Sequence, residues 1–407
     1  MRIIIHKDKI KDFFDYLLII LLYYTTGGAF SYANYNTKII ALFICLLPLC
    51  LLYNKRSFLM RKVLLILTIM SSLIVIIPLV FNDSISTYLA IILQLGIGAL
   101  CASFIDKHEF VRKYVNIIVF FASASLLFFI IGKIMPSIIY FFPFTRGEGS
   151  VDYYNAIIYV FMTAKGFSNL VMSTRNAGIC WEPGCYQCFL NIALFFLLDN
   201  RELFIKKNYY IRMLILVITI LTTQSTTGVL ILIILLIAYF KQLIVGLGRK
   251  VIIFPIILVA LFFFLGKSGL IGTITAKVSG EFIYSSSFLD RISLYQIKYI
   301  VSNGVFYFFG MSFSKFITYN QDLWNSIIHS FLCLGIPFTL IHLVGYWKGS
   351  NVLSRRKGYV LFVLMIMSAS TETLFWRVFF NTIAFYGWID DNNKNKDRNL
   401  LSGKDKK

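Results

Sequence analysis

Apolar runs repeat along nearly the whole chain, and the short connectors between them alternate between rich in Lys and Arg and free of them. Runs of this kind limit what a chain can fold into. A helix of about 20 apolar residues crosses the hydrocarbon of a bilayer, where its backbone polar groups must be satisfied within the segment. The spacing predicts helices over 13–30, 37–53, 63–81, 85–104, 115–135, 186–198, 211–224, 227–245, 251–266, 326–346, 359–373 and 374–389. The expected fold class is all-α, a polytopic transmembrane helical bundle of about 12 helices.

The charge pattern sets a frame for this bundle. Connectors 1–12, 54–62, 105–114, 199–212, 241–250 and 347–358, with the tail from Ile389, hold 28 of the 39 Lys and Arg residues. The short turns 25–36, 82–84 and the turn at Ser225 hold none. Basic residues stay cytoplasmic during insertion and meet anionic lipid there. Both termini are then cytoplasmic, and the expected address is multi-pass in a cytoplasmic membrane. The same pattern accounts for the net charge of +20 without a nucleic-acid partner. Composition agrees: 58% of residues are hydrophobic and 14% charged, and mean hydropathy is +0.77. The apolar run after the basic start Arg2–Lys11 has no small-residue cleavage site and reads as a retained helix.

Residues 1–389 form the expected membrane domain, and 390–407 a basic, solvated, disordered tail. Two connectors, 136–185 and 267–325, are far longer than ordinary turns. The frame places both outside the cytoplasm, with short interfacial helices expected at Ile157–Met162 and Phe282–Ile300. Loops of this length are where function concentrates.

Candidate site residues gather at these outer segments. STRNAGICWEPGCYQ (173–187) puts Arg175 and Glu182 just above a helix that Pro183 can start. The pair can face a polar cavity or form a salt bridge that pins the loop. LTTQSTTGVL (221–230) is a polar patch between apolar runs, where Ser225 and Thr227 either cap the next helix or offer hydroxyls to a ligand. Gly228 permits close helix packing there. In the second loop, Arg291 and Lys298 lie two helical turns apart and suit phosphate, or else remain solvated. His329 sits early in an apolar helix, as a packed residue or a general base. Glu372 and Arg377 are ionisable groups at a helix edge, where such groups pair or line a cavity. Cys180, Cys185 and Cys188 lack metal spacing. A Cys180–Cys185 disulfide is one option, and unpaired thiols are the favoured one. No phosphate-binding Gly-rich loop, HExxH or CxxC pair occurs, so no cofactor and no metal are expected.

RNAGICWEPG (175–184), TTQSTTG (222–228), DRISLY (290–295), NSIIHSFLCLG (325–335) and Ser370-Thr371-Glu372, in this order, resemble the O-antigen and capsular polysaccharide polymerases, a family related to the O-antigen ligases. The chain departs from that pattern before Met311, where a single Gly310 stands in place of a richer Gly motif. The resemblance implies a metal-independent membrane glycosyltransferase that joins undecaprenyl-pyrophosphate-linked repeat units outside a bacterial cytoplasmic membrane, with inversion. Its partners would be the lipid-linked glycan donor and acceptor, membrane lipid, a chain-length regulator and a flippase. Arg175 and Arg291 would stabilise the departing pyrophosphate, with Arg377 in support. Glu182 or His329 would take the acceptor proton. Ser225, Thr227, Lys298 and Glu372 would line the site. A ligase-like glycan transferase and a polysaccharide or lipid-linked-sugar flippase are the alternative expectations.

Overall fold

A computed structural model of the chain describes residues 7–29, 40–41, 43–44, 46, 48, 61–145, 151–164, 173, 175–247, 308–319 and 325–389. Helices occupy most of them. In chain order they are α1 (Lys7–Gly27), α2 (Arg61–Phe81), α3 (Ile85–Phe104), α4 (Lys107–Ile134), α5 (Pro183–Asp199), α6 (Lys206–Thr222), α7 (Thr226–Leu247), α8 (Phe313–Tyr319), α9 (Ser326–Cys333), α10 (Gly335–Leu353), α11 (Gly358–Thr371) and α12 (Val378–Tyr386). The expected 251–266 helix lies outside the described residues, as does Phe282–Ile300.

The organising element is α5. Every residue of it except Gly184 is buried, as expected of a helix that is apolar all round. It packs against α4, α6, α7 and α11. The end of α1 reaches it as well: a Cβ on Gly27 would collide with the Phe189 ring, and Gly28 forms a β-bridge with Cys180. An ion cluster around the buried Lys113 holds α1 to α4, with Lys113 Nζ 2.5 Å from Asp12 and 2.8 Å from Asp15. Close glycine contacts bring α10 and α12 together, since Gly349 leaves no room for a Cβ beside the Ile383 carbonyl.

Two breaks shape the C-terminal region. The single helix expected over 326–346 divides at Gly335, whose φ of +85° ends α9. Gly310, at φ +93°, packs against this break. Met311 N donates to Leu332 O at 2.8 Å, and Ile336 N to Phe308 O at 3.0 Å.

The connector after α4 carries a second departure. Three strands form an antiparallel sheet, β1 (Phe144–Thr145), β2 (Val151–Asn155) and β3 (Val160–Ala164), in the order β1-β2-β3. Tyr153 pairs with Met162. The interfacial helix expected at Ile157–Met162 is instead a turn, with Ile157 at φ +61°, followed by β3. Alternating aromatic and β-branched residues explain it, since that pattern favours a strand with one packed face. Tyr159, Phe161 and Ile139 close a small core beneath the sheet, against Phe128.

The larger correction concerns the membrane. Among the described residues, α2, α3 and α4 are the helices long and apolar enough to cross a bilayer by length and composition. Segments 183–199, 208–222, 226–242 and 358–371 are apolar but no longer than 17 residues. The expected fold of about 12 crossings, with two long extracytoplasmic loops, gives way to a mainly helical fold with three candidate spans among the described residues. The multi-pass cytoplasmic-membrane address rested on those crossings and is withdrawn with them. So is the assignment as a membrane glycosyltransferase polymerising capsular or O-antigen chains, along with its ligase and flippase alternatives. The physical reason is that hydropathy measures the cost of leaving water. It does not tell lipid from the protein's own interior, and α5 finds its apolar surroundings within the chain.

Candidate functional site

The N-terminal end of α5 is where the polar segments meet. Glu182 occupies the N-cap position in extended conformation, but its side chain accepts no capping hydrogen bond. Pro183 follows at the first helical position, where its missing N–H costs nothing. Gly184 comes next and is needed for space. A Cβ there would collide with Glu372 Oε1, and would lie 3.4 Å from the Glu372 carboxyl carbon and 3.7 Å from that of Glu182. Two carboxyl groups from residues far apart in the chain thus converge over one glycine.

Glu372 is 2% exposed. The turn that carries it, between α11 and α12, is held from several sides. Ser326 Oγ lies 2.6 Å from Ala369 O and 2.7 Å from Glu372 O, and it accepts a bond from Phe375 N at 3.1 Å. His342 Nε2 lies 3.0 Å from Phe375 O, and Tyr346 OH donates to the same carbonyl at 2.5 Å. At the end of this turn, Arg377 precedes α12 and its Nε donates to Thr373 O at 3.2 Å.

The α6–α7 turn closes another side. Arg175 is half-buried, and its Nε donates to Thr223 O at 3.1 Å. Asn176 N donates to Thr222 O at 3.0 Å, and Asn176 Nδ2 to Thr222 Oγ1 at 3.1 Å. Ser225 Oγ accepts from Gly228 N at 3.3 Å, which is the capping role open to it from the sequence. Thr227 is half-buried in the first turn of α7. Gly228 packs against Gln187, where a Cβ would lie 2.8 Å from Gln187 Cβ. Asn191 Nδ2 joins the two helices by donating to Gln187 Oε1 at 2.9 Å and Gly228 O at 3.2 Å.

His329 lies beyond the Glu372 turn. Its ring stacks on Phe316 at 4.3 Å and meets Phe313 and Trp376, each at 5.3 Å. Both ring nitrogens are buried without a hydrogen-bond partner, although the residue as a whole is only half-buried. Burial lowers its pKa to about 4, so the imidazole is neutral near pH 7.

Cys180, Cys185 and Cys188 are free buried thiols, with no Cys180–Cys185 bond. Burial pushes the Cys188 thiol well above its ordinary range, reinforced by Glu372 and, more weakly, Glu182. Among the described residues, no group of three His, Cys, Asp or Glu side chains is arranged to hold a metal.

Four sequence segments come together here: 175–184, 222–228, 325–335 and 370–377. Arg291 and Lys298 lie outside the described residues. Gln187, Asn191, Ser326 and His342 complete the site's polar framework and were not singled out from the sequence. Gln187 and Asn191 carried a usable signal, being polar residues four apart on an otherwise apolar helix. Ser326 lay within the quoted NSIIHSFLCLG segment. No family model, no curated protein and no solved structure matches this chain.

Proposed function

We propose that this junction is a binding site for a phosphate-bearing glycan carried on a polyprenyl lipid. The carrying observation is the convergence of Glu182 and Glu372 over Gly184, with the Glu182 side chain making no hydrogen bond or ion pair among the described residues. A half-buried carboxylate without donors of its own suits a ligand that brings hydroxyls. Sugars do so, and charge-assisted hydrogen bonds to carboxylates are the strong kind. Arg175, seven residues before Glu182, and Arg377, five after Glu372, lie on the segments that meet here, and guanidinium groups suit phosphate oxygens. The exposed apolar residues of α2, including Leu79 and Val80, suit lipid. The role is recognition, and no bond-making step is assigned.

The test is direct binding of purified full-length protein to undecaprenyl pyrophosphate, bare or carrying a single sugar. Glu182→Gln should weaken binding of the sugar-bearing lipid about tenfold and leave the bare lipid unchanged. Arg175→Gln should weaken both. Equal affinity of the Glu182→Gln variant and wild type for the sugar-bearing lipid would show that the junction does not read the sugar.

A further inference from the structure

A second site lies at the opposite end of α5. A shallow, solvent-open depression is lined by Leu198, Arg201, Tyr209, Tyr210, Tyr239 and Gln242. Arg201 is its charged group. Its guanidinium lies 5.0 Å from the Tyr209 ring and 5.8 Å from the Tyr210 ring, and Nη2 donates to Tyr210 OH at 3.2 Å. The arginine is therefore held in place by aromatic rings and a hydroxyl.

The carboxylates nearby are engaged elsewhere. Asp199 accepts from Tyr239 OH, Ser354 Oγ, Arg355 N and Arg356 N. Glu202 is paired with Arg355. No carboxylate lies within ion-pair distance of Arg201 among the described residues. Lys241 and Arg356 are exposed on neighbouring segments, and Lys357 Nζ lies over the Tyr239 ring at 4.6 Å. The surroundings thus carry unspent positive charge.

Two exposed apolar stripes run from this depression. Ile211, Leu214 and Ile218 share one face of α6, and Leu230, Ile237 and Phe240 are exposed along α7. Spacings of three, four and seven residues keep each stripe on one side of its helix. A fixed guanidinium between tyrosines, beside outward apolar stripes, matches an amphiphile with an anionic head and hydrocarbon tails.

We propose that the depression binds the phosphate headgroup of an anionic phospholipid, with the acyl chains lying along the exposed stripes of α6 and α7. Arg201 donates to the phosphate, and Tyr210 holds the guanidinium in register. This site is separate from the glycan junction and does not depend on it.

The experiment is native mass spectrometry of the full chain, released from nanodiscs containing equal phosphatidylglycerol and phosphatidylcholine. Wild type should retain phosphatidylglycerol preferentially. Arg201→Gln should lower that preference about tenfold, and Tyr210→Phe should lower it by a smaller factor without removing charge. Arg61→Gln, a basic residue at the start of α2, should leave it unchanged. If Arg201→Gln folds and keeps the wild-type preference, the assignment is overturned. If Arg201→Gln fails to fold, the Tyr210→Phe result decides in the same way. Displacement of phosphatidylglycerol by millimolar inorganic phosphate would show that the depression takes free phosphate, and the lipid assignment would fall.

Discussion

The two ends of α5 each carry a carboxylate, and the two are treated in opposite ways. Asp199, the last helical residue, accepts four hydrogen bonds and ties α5 to α7 and to the connector between α10 and α11. It does so at the helix end where a negative charge is disfavoured by the dipole. Glu182, at the favoured end, caps nothing. A carboxylate saturated by its own chain is part of the scaffold. One left without donors, beside a second carboxyl, is available to something else. Position along the helix does not decide between these roles; the supply of donors does.

Removing the scaffold carboxylate should have the largest effect. Asp199→Ala strands a buried tyrosine hydroxyl and two backbone N–H groups. It should cost about 4 kcal/mol of stability by thermal or denaturant unfolding, and Asp199→Asn less. A loss below about 1 kcal/mol would erase the contrast between the two ends.

Acid should act next, through the histidines around the Glu372 turn. Burial holds both His329 and His342 at about 4, below the ordinary 6.5. The unfolded chain takes up these protons near pH 6.5, whereas the folded chain resists until about pH 4. Their contribution is complete above pH 6.5 and is lost as pH falls toward 4, by up to about 3 kcal/mol each. Melting temperature against pH should show this slope, and His329→Phe should remove about half of it.

Gly184→Ala forces a Cβ against the buried Glu372 carboxylate and should cost about 2 kcal/mol. A neutral result would mean that the two carboxyls do not crowd this point. The smallest stability change is expected at Glu182 itself. Glu182→Gln should shift unfolding by no more than about 0.5 kcal/mol, while weakening the sugar-bearing lipid as described. A large stability loss there would move Glu182 into the same class as Asp199.

Much of the helical pattern was legible in the chain. Expected segments 63–81, 85–104 and 186–198 fall within or coincide with α2, α3 and α5, because apolar runs bounded by charge and turn residues mark helices. Ser225 as a cap and Gly228 as a close contact followed from residue type and position. The break at Gly335 was not legible, since a lone glycine inside an apolar run signals a left-handed turn only when another segment packs against it, as Phe308–Met311 does. The strands β1–β3 were not legible for a similar reason: they are short and owe their form to pairing.

From residue types alone came the presence of the helices, the excess of positive charge and the polar segments that carry the candidate site. These are local properties, set by propensity, periodicity and charge. Tertiary structure decided whether an apolar helix is covered by lipid or by the rest of the chain, and which carboxylate receives donors. Both depend on neighbours distant in sequence: Glu372 reaches Gly184, and residues 354–356 reach Asp199, only once the helices between them have packed.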